Sequence, residues 1–383
     1  MLNKKIIHQL SLSQIGGVQR SFDLYLKYAL KKSRFHHCIY SFHEVLENFT
    51  HVRKHHYNMN RSLYYKLKFI FYLYSKKHIV HFYNNLGSNN VSKLLKFLPS
   101  SNIIFHERGR VWNARDEDEI IYKNNTLKAK IIIANSKASK IMLEKRFNID
   151  PKKIKVIYNG LLSQSSCYKI RNNQRFSKKF SVGYLGRLDT PKGTHVLIES
   201  AKKLTDYDFF IAGNGPWNNI LRSISKGSNN IHFMGAIKEP LEFISKMDTI
   251  VVPSIREPLG NSIIEAGFCK KPVIASNIDG IAEIIKNGVN GILIDPTKGL
   301  TFKKLPKGAV VIPKFVVNPK TYDLQKPMEI DPIKLCESIV KLKNNPKLRQ
   351  KYGELLYQTV KQKFCIEGYF KKLENIYQNI KLN

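Results

Sequence analysis

Two carboxylates in the second half of the chain flank the predicted start of a helix. The helix is expected to begin at Leu259, Gly260 and Asn261. Glu257 stands just before it, and Glu265 comes eight residues after Glu257, two turns inside. Free N–H groups in a first helical turn, with the positive end of the helix dipole, form a site for a phosphate group. A carboxylate beside a phosphate is unfavourable unless it binds something else, and sugar hydroxyls fit that role. The alternative is that Glu257 caps the helix and that Glu265 is solvated.

Two cations follow another predicted strand, Phe180–Leu185. Arg187 offers a planar fork for phosphate oxygens, and Lys192 offers a mobile point charge. Ligands bind at the carboxyl ends of strands in open α/β sheets, so these two side chains can neutralise a diphosphate without a metal. The alternative is that both are simply solvated, as most of the 64 lysine and arginine side chains must be.

Two glycines and a histidine mark strand ends in the first half of the chain. Gly16 and Gly17 follow the first predicted strand and precede a predicted helix, where glycine lets the backbone approach a phosphate closely. A tight turn is the alternative for this pair. His106 closes the predicted strand Ile103–His106, from which it can hydrogen-bond a reacting sugar or an acceptor. Because the chain has twelve histidines, a packing or surface role is the alternative for His106.

Two Asp-x-Asp strings have the spacing that often binds a nucleotide-associated metal. Asp116 and Asp118 lie in an acidic run that predicts a helix start, and Asp206 and Asp208 lead into a predicted strand. The five cysteines are scattered without a C-x-x-C pair, which indicates neither a zinc site nor a disulfide framework and favours a reducing compartment. We therefore expect no metal and no cofactor.

Strand-like runs alternate with helical stretches along the chain, which predicts parallel sheets flanked by helices in two α/β domains. The length of 383 residues also favours two hydrophobic cores. The predicted strands cover Lys5–Leu10, His78–Tyr83, Ile103–His106, Ala129–Ala134, Phe180–Leu185, Phe209–Ala212, Ile231–Met234, Thr249–Val252 and Pro272–Ala275.

The polar segment Ser163–Lys179 marks the predicted domain boundary. Residues 296–330 interrupt the α/β pattern with lysines, prolines and a β-like run over Ala309–Val317, which predicts an insertion such as a hairpin. Helical spacing of apolar residues predicts an amphipathic helix at the C-terminus that docks on another part of the protein. The predicted division is a first domain over 1–165, a linker over 166–179, a second domain over 180–362 and the C-terminal helix over 363–383.

The net charge of +35 implies a negatively charged partner: nucleic acid, an anionic membrane face or phosphorylated small molecules. Basic and aromatic residues are interleaved over Val52–Lys77, which suits an anionic lipid face or a phosphate-bearing acceptor and equally suits nucleic acid. A helix pair with an exposed basic side is the alternative. The longest apolar stretch, Phe69–Tyr74, is far shorter than the roughly 20 residues that cross a bilayer. His8 and Gln9 interrupt the apolar run at the N-terminus before it is long enough for a signal peptide, so these residues predict a strand instead.

In combination and order, these motifs resemble family 4 of the retaining glycosyltransferases, whose GT-B fold has two Rossmann-like doubly wound domains facing across a cleft. The resemblance covers nearly the whole chain, and the insertion over 296–330 departs from it. The resemblance also implies that the C-terminal helix packs back on the first domain. The motifs that carry it are Gly16-Gly17, Val156 to Gly160, Gly186-Arg187-Leu188 with Lys192-Gly193, Ala212 to Gly215, Phe233-Met234-Gly235, and Glu257 to Gly260 with Glu265-Ala266.

The resemblance implies a role for each residue of the site. Glu257 would bind hydroxyls of the donor sugar, Glu265 would bind the ribose, and His106 would lie near the reacting centre. Arg187 and Lys192 would hold the diphosphate. The implied donor-binding residues are Gly16, Gly17, Arg187, Lys192, Met234, Gly235, Glu257, Leu259, Gly260, Asn261 and Glu265. The implied catalytic residues are His106, Glu257, Arg187 and Lys192.

The resemblance also implies a reaction: front-face attack that retains anomeric configuration, with the leaving diphosphate helping to take the acceptor's proton. We expect a UDP-sugar donor in preference to GDP-mannose. The expected acceptor is lipid-linked or a saccharide in lipopolysaccharide, O-antigen or capsule synthesis at the inner face of the cytoplasmic membrane. The alternatives are a non-catalytic basic protein that binds nucleic acid or anionic lipid, and a nucleotide-sugar epimerase of the same fold.

Overall fold

Contacts divide the chain into two units. The computed structural model describes residues 4–14, 16–98, 102–161, 176–302 and 304–380. Unit 1 comprises Met1–Leu162 with Phe364–Asn383, and unit 2 comprises Ser163–Lys363. Each unit has a parallel sheet with helices, so the predicted class of two Rossmann-like α/β domains is confirmed. Of the predicted linker over 166–179, residues 166–175 lie outside the described residues.

The sheet of unit 1 has seven parallel strands in the order β3-β2-β1-β4-β5-β6-β7. The central strands are buried along their whole length, as expected for a parallel sheet covered on both faces. The chain adds strands on one side of β1 and then crosses to β4, which makes the gap between β1 and β4 the topological switch point. The strands are β1 (Lys5–Gln9), β2 (His36–Ser41), β3 (His56–Asn58), β4 (Ile79–Tyr83), β5 (Ile103–Glu107), β6 (Ala129–Ala134) and β7 (Ile154–Val156).

In the described part of unit 1, six α-helices precede the boundary with unit 2. Local sequence sets their ends: α6 begins where Ser136 Oγ accepts a hydrogen bond from Ser139 N at 2.9 Å and ends at Asn148, whose φ of 49° is left-handed. The helices are α1 (Gly17–Lys32), α2 (Thr50–Arg53), α3 (Leu63–Tyr74), α4 (Asn89–Leu95), α5 (Glu119–Lys128) and α6 (Lys137–Phe147).

The sheet of unit 2 has six parallel strands in the order β10-β9-β8-β11-β12-β13, so its switch point lies between β8 and β11. Its strands are β8 (Phe180–Leu185), β9 (Tyr207–Ala212), β10 (Ile231–Gly235), β11 (Thr249–Val252), β12 (Val273–Ser276) and β13 (Ile292–Ile294). A separate antiparallel hairpin joins β14 (Val316–Val317) to β15 (Leu324–Gln325). The helices are α7 (Thr194–Lys203), α8 (Asn218–Ile224), α9 (Pro240–Ser245), α10 (Asn261–Phe268), α11 (Pro332–Asn344) and α12 (Pro346–Lys363).

The last helix, α13 (Ile366–Asn379), belongs to unit 1. Its apolar face packs on α1, with the ring of Tyr369 5.6 Å from that of Tyr25 and the ring of Phe370 5.1 Å from that of Tyr28. Tyr377 Oη lies 2.7 Å from His81 Nδ1 in β4. The final helix therefore completes the hydrophobic core of unit 1.

Several elements differ from the sequence predictions. Strands β2, β3, β7 and β13 were not predicted, because they are short or, like His36–Ser41, carry polar residues in buried positions. The segment Val52–Lys77 holds strand β3 between α2 and α3, so a short strand separates the two helices of the alternative prediction. The insertion contains a hairpin, but its first strand is only Val316–Val317. Among the described helices, none combines the length and apolar character needed to cross a bilayer.

Candidate functional site

Two loops flank the switch point of unit 2. Loop A (residues 186–193) follows β8, and loop B (residues 253–260) follows β11. Because β8 and β11 are neighbouring parallel strands, both loops leave the same edge of the sheet. Ligands of doubly wound sheets bind in the crevice at this position. The cations and carboxylates of unit 2 that the sequence singled out lie in these loops or in helix α10 directly after loop B.

Hydrogen bonds and one close contact tie the two loops together. Ile255 N and Arg256 N both donate to Pro191 O, at 2.9 and 3.2 Å. Gly193 has a φ of 62°, and a Cβ atom on it would lie 2.0 Å from Pro253 O. Only glycine fits this position, because a side chain on loop A would collide with the backbone of loop B.

The site residues Lys192 and Glu257 form an ion pair between the loops. Lys192 Nζ donates to Glu257 Oε2 at 2.6 Å, and the two side chains are only 27% and 10% exposed. Ser254 Oγ lies 3.4 Å from the same carboxylate oxygen. The sequence predicted both charged residues but not that they pair. The pair joins a cation suited to phosphate with a carboxylate suited to hydroxyls at one point.

Arg187 lies at the start of loop A, and its side chain is more exposed to solvent than those of Lys192 and Glu257. Its Nε is 3.0 Å from Asp189 Oδ2, and its side chain is 57% exposed whereas that of Asp189 is 3% exposed. Tyr184 Oη donates to Arg187 O at 3.0 Å. Burial raises the pKa of Tyr184, which keeps this hydroxyl protonated and able to donate. The backbone of Arg187 is thus fixed, while its side chain, which is more than half exposed, remains accessible to an anion.

Helix α10 begins directly after loop B. Gly260 is its N-cap with a left-handed φ of 105°, and Asn261 is its first residue. Leu259 is buried beside the cap. Glu265 is therefore one turn inside the helix, not two as predicted, because the left-handed glycine delays the first helical residue to Asn261. One turn keeps the half-buried Glu265 near the N-terminal end of α10, where the helix dipole is positive.

Asp279 is a site residue that the sequence analysis missed. Its Oδ2 accepts a hydrogen bond from Glu257 N at 2.9 Å, and the residue is buried with a left-handed φ of 45°. Gly280 follows it, and Gly280 N donates to Glu257 O at 3.2 Å. An Asp-Gly pair four residues beyond the end of the predicted strand Pro272–Ala275 was the available signal, since this pair favours left-handed turns.

Met234 and Gly235 end β10, two strands away from β8 along the sheet. Gly235 O accepts a hydrogen bond from Gly213 N at 2.7 Å, which links the ends of β10 and β9. The structure therefore places these two residues on the same edge as loops A and B but not in the charged pair.

The site residues predicted in unit 1 also lie at strand ends. Gly16 is the N-cap of α1 and Gly17 its first residue, in the loop after β1 at the switch point. His106 lies near the end of β5 and is 1% exposed, with its ring 5.4 Å from that of His81. Burial, and then the charge of Arg108, lowers the pKa of His106 well below its usual range, so its imidazole is neutral. The roles of these three residues stay predictions.

Within the described residues, no group of three or more histidine, cysteine, aspartate or glutamate side chains is arranged to hold a metal ion. The absence of a metal from the reaction stays a prediction.

Comparisons with known proteins agree on one kind of protein. Residues 168–304 match the family model described as glycosyl transferases group 1. The chain is 25% identical over 278 residues to the capsular polysaccharide biosynthesis glycosyltransferase CapM of Staphylococcus aureus, covering 68% of this chain and 61% of that protein. It is 30% identical over 158 residues to the N,N'-diacetylbacillosaminyl-diphospho-undecaprenol alpha-1,3-N-acetylgalactosaminyltransferase of Campylobacter jejuni, covering 41% of each.

Solved structures extend the likeness of fold to the whole chain. Anabaena HepE, solved in complex with UDP and glucose, superposes with a TM-score of 0.74 at 18% identity and covers 98% of this chain and 100% of its own. The fold is therefore GT-B, with its two Rossmann-like domains. The chain spans about half the length of the curated relatives it matches, with 47%, 61% and 48% of three of them covered.

Proposed function

We propose that this chain, whose residues 168–304 match the family model of the group 1 glycosyl transferases, moves a sugar from a nucleotide sugar to an acceptor. The observation that carries the proposal is the Lys192–Glu257 pair, at 2.6 Å, at the switch point of unit 2 beside the exposed Arg187. Two cations suit a diphosphate and a carboxylate suits sugar hydroxyls. One nucleotide sugar presents both groups side by side.

The donor would bind by exchanging partners within this pair. The diphosphate would accept hydrogen bonds from Lys192 and Arg187, and the hydroxyls of the sugar would donate to Glu257. Each charged group then keeps a partner, so no buried charge is left unpaired. Glu265, one turn inside α10, would accept from the ribose hydroxyls.

We propose UDP-sugars in preference to GDP-mannose. Support comes from HepE, which has the same fold and was solved with UDP and glucose. The base would contact backbone near Met234 and Gly235, at the end of β10.

The proposed chemistry retains anomeric configuration and uses no metal. Cations at the diphosphate stabilise the charge that develops on the leaving group, and the leaving phosphate oxygen takes the acceptor's proton. NMR of the purified product tests this: an α-linked product from an α-linked UDP-sugar, formed in the presence of EDTA, is expected. A β-linked product would overturn retention, and loss of transfer with EDTA would overturn metal independence.

The proposed acceptor is lipid-linked or a saccharide of lipopolysaccharide, O-antigen or capsule. The relatives named for capsular polysaccharide biosynthesis and for a diphospho-undecaprenol substrate support this class. Such an acceptor would place the enzyme at the inner face of the cytoplasmic membrane.

Helix α3 supports contact with an anionic membrane. Phe69, Tyr72 and Leu73 face the core, yet six other apolar side chains of this 12-residue helix are 38 to 70% exposed. Lys66 is exposed among them. A helix that exposes apolar side chains together with lysine is typical of a membrane interface. The six exposed residues are Leu63, Tyr64, Leu67, Ile70, Phe71 and Tyr74.

Vesicle co-sedimentation tests the membrane contact. Wild-type protein should bind vesicles containing about a third phosphatidylglycerol more strongly than phosphatidylcholine vesicles, since basic residues favour anionic lipid. The double variant Leu67→Ser with Phe71→Ser should lose most of that binding. Ile120→Ser with Leu127→Ser, which removes two exposed apolar side chains from α5, is the matched control. Equal binding by both double variants would overturn the role of α3.

Calorimetry with a panel of nucleotides and nucleotide sugars, in EDTA, tests the donor site itself. One nucleotide family should bind saturably, and Glu265→Ala should weaken that binding by more than about 1 kcal/mol, as expected for losing a hydrogen bond to a charged group. Glu337→Ala, an exposed glutamate of α11, is the control and should bind like wild type. Binding of GDP-mannose alone would change the donor class. Absence of all binding, together with salt-sensitive binding to duplex DNA, would favour the nucleic-acid alternative instead.

A further inference from the structure

The insertion that departs from the family pattern forms a closed loop on unit 2. We call residues 296–330 the insertion loop; the structure describes all of it except residue 303. Its two ends are joined, because Thr297 N and Lys298 N both donate to Glu329 O at 2.9 Å and Glu329 N donates to Lys298 O at 2.8 Å. Between these ends lies the β14–β15 hairpin.

Side-chain contacts anchor this loop to α7 and to Trp217, the N-cap of α8. The ring of Phe302 lies 5.1 Å from that of Trp217 and 5.5 Å from that of His195, both edge to face. Glu329 is buried, with its Oε1 2.9 Å from His195 Nε2, and it accepts from Thr301 Oγ1 at 3.1 Å. An anchored loop of this kind can hold its neighbours in fixed positions.

The first link from the insertion loop to the site runs through Asp189 of loop A. Val310 N donates to Asp189 Oδ1 at 2.8 Å, and the same oxygen accepts from Thr190 N at 2.8 Å. The second oxygen of Asp189 is the one that lies 3.0 Å from Arg187 Nε. One buried carboxylate thus joins the insertion loop, the backbone of loop A and the guanidinium.

The second link runs through Asp279 to loop B. Val317 N donates to Asp279 Oδ1 at 2.7 Å, while Asp279 Oδ2 accepts from Glu257 N at 2.9 Å. Val317 and Asp279 are both buried. The hairpin therefore reaches the backbone of Glu257 through a single carboxylate.

We propose that the insertion loop is a positioning clamp for the donor site, acting on Arg187 through Asp189 and on Glu257 through Asp279. The proposal rests on the proposed function for its effect on the donor. The two links have separate consequences: Val310 supports the residue that would meet the diphosphate, and Val317 supports the residue that would meet the sugar. Asp189 and Asp279 are positioning residues, since neither is assigned a contact with the donor.

A proline substitution tests the first link of the clamp, because proline lacks the backbone N–H group that donates to Asp189. Val310→Pro should weaken UDP and UDP-sugar alike, by about tenfold or more, the ratio expected for losing a hydrogen bond to a charged group. Val310→Ala keeps the N–H group and should bind within about twofold of wild type.

For the second link, Asp279→Asn replaces one acceptor oxygen by an amide in a residue that tolerates a left-handed φ. It should weaken the UDP-sugar more than UDP. Equal loss of both ligands in Asp279→Asn, or equal binding by Val310→Pro and Val310→Ala, would overturn the clamp.

Amide hydrogen exchange without ligand separates this proposal from the proposed function. In Val310→Pro, the amides of Thr190, Ile255 and Arg256 should exchange at least about tenfold faster than in Val310→Ala, because the tie on loop A is lost. Unchanged exchange there would refute the clamp whatever the ligand results are. If wild-type protein binds no nucleotide but the exchange difference is present, the clamp stands and the proposed donor function fails.

Discussion

The two units share one topology but keep their polar side chains in different places. In unit 2 the charged residues lie in loops at the strand ends, where Lys192 meets Glu257. In unit 1 polar rings lie inside the sheet: His8, His37 and His81 belong to β1, β2 and β4 and are buried. Polar groups at strand ends are available to a ligand, whereas polar groups between buried strands serve the core. The comparison explains why unit 2 reveals its chemistry in short motifs and unit 1 does not.

Four buried histidines of unit 1, His8, His37, His81 and His106, form a connected cluster. His8 Nε2 lies 2.8 Å from His37 Nδ1, and the rings of His81 and His106 stack at 5.4 Å. Burial lowers the pKa of His8, His81 and His106 well below the usual range and lowers the pKa of His37 to about 3. Neighbouring histidines and Arg108 lower these pKa values further, because a second positive charge would be repelled.

The largest expected effect is therefore a loss of stability of unit 1 in mild acid. Each histidine is neutral in the folded protein but binds a proton near pH 6.5 in the unfolded chain. The folded state therefore keeps its full stability above about pH 6.5 and loses stability as the pH falls below that value. The free energy of unfolding should drop by about 1.4 kcal/mol per pH unit for each histidine. Amide hydrogen exchange between pH 7 and pH 5, corrected for the intrinsic rate, should show unit 1 opening first.

A single substitution sharpens this test. His37→Gln removes one of the four buried imidazoles. The free energy of unfolding of unit 1 should then change less steeply with pH, by the contribution of one proton, roughly 1.4 kcal/mol per pH unit. His36→Gln, at the exposed start of β2, is the matched control and should leave the slope as it is. If the two units lose stability in parallel, the histidine cluster does not set the acid response.

The sequence predicted those features of the two units that depend on short, local patterns. Apolar runs predicted the central strands of both sheets, and the Pro-Leu-Gly and Gly-Arg-Leu motifs predicted where Glu257 and Arg187 would lie. Strand β2 escaped prediction because His36, His37 and Cys38 lack the pattern of a buried strand. Asp279 and the contacts of the insertion loop escaped because a backbone N–H that bonds a carboxylate 38 positions away leaves no local sequence pattern.

The second largest effect should follow removal of the cation of the ion pair. Lys192→Ala removes the cation that pairs with Glu257, whose side chain is only 10% exposed. It also removes a positive charge that would stabilise the leaving diphosphate. We expect sugar transfer to fall by roughly 10²- to 10³-fold, the loss typical of removing one such group. Lys203→Ala, at the exposed end of α7, is the control, and steady-state transfer rates measure both. A loss below about threefold in Lys192→Ala would show that this pair is structural.

The smallest of the three effects tests the contact between loops A and B. Gly193 and Gly227 both have left-handed φ values, 62° and 85°, so alanine at either position costs about 1 kcal/mol of folding free energy from the backbone alone. A Cβ atom at 193 would also lie 2.0 Å from Pro253 O, whereas one at 227 would meet no atom within 4 Å. Gly193→Ala should therefore cost about 2 kcal/mol more than Gly227→Ala in urea unfolding, a difference within the range for overpacked sites. It should also weaken nucleotide binding, because the loops must separate to admit the methyl group. Equal unfolding free energies for the two variants would mean that loops A and B move apart without cost, and the fixed geometry argued for the Lys192–Glu257 pair would not hold.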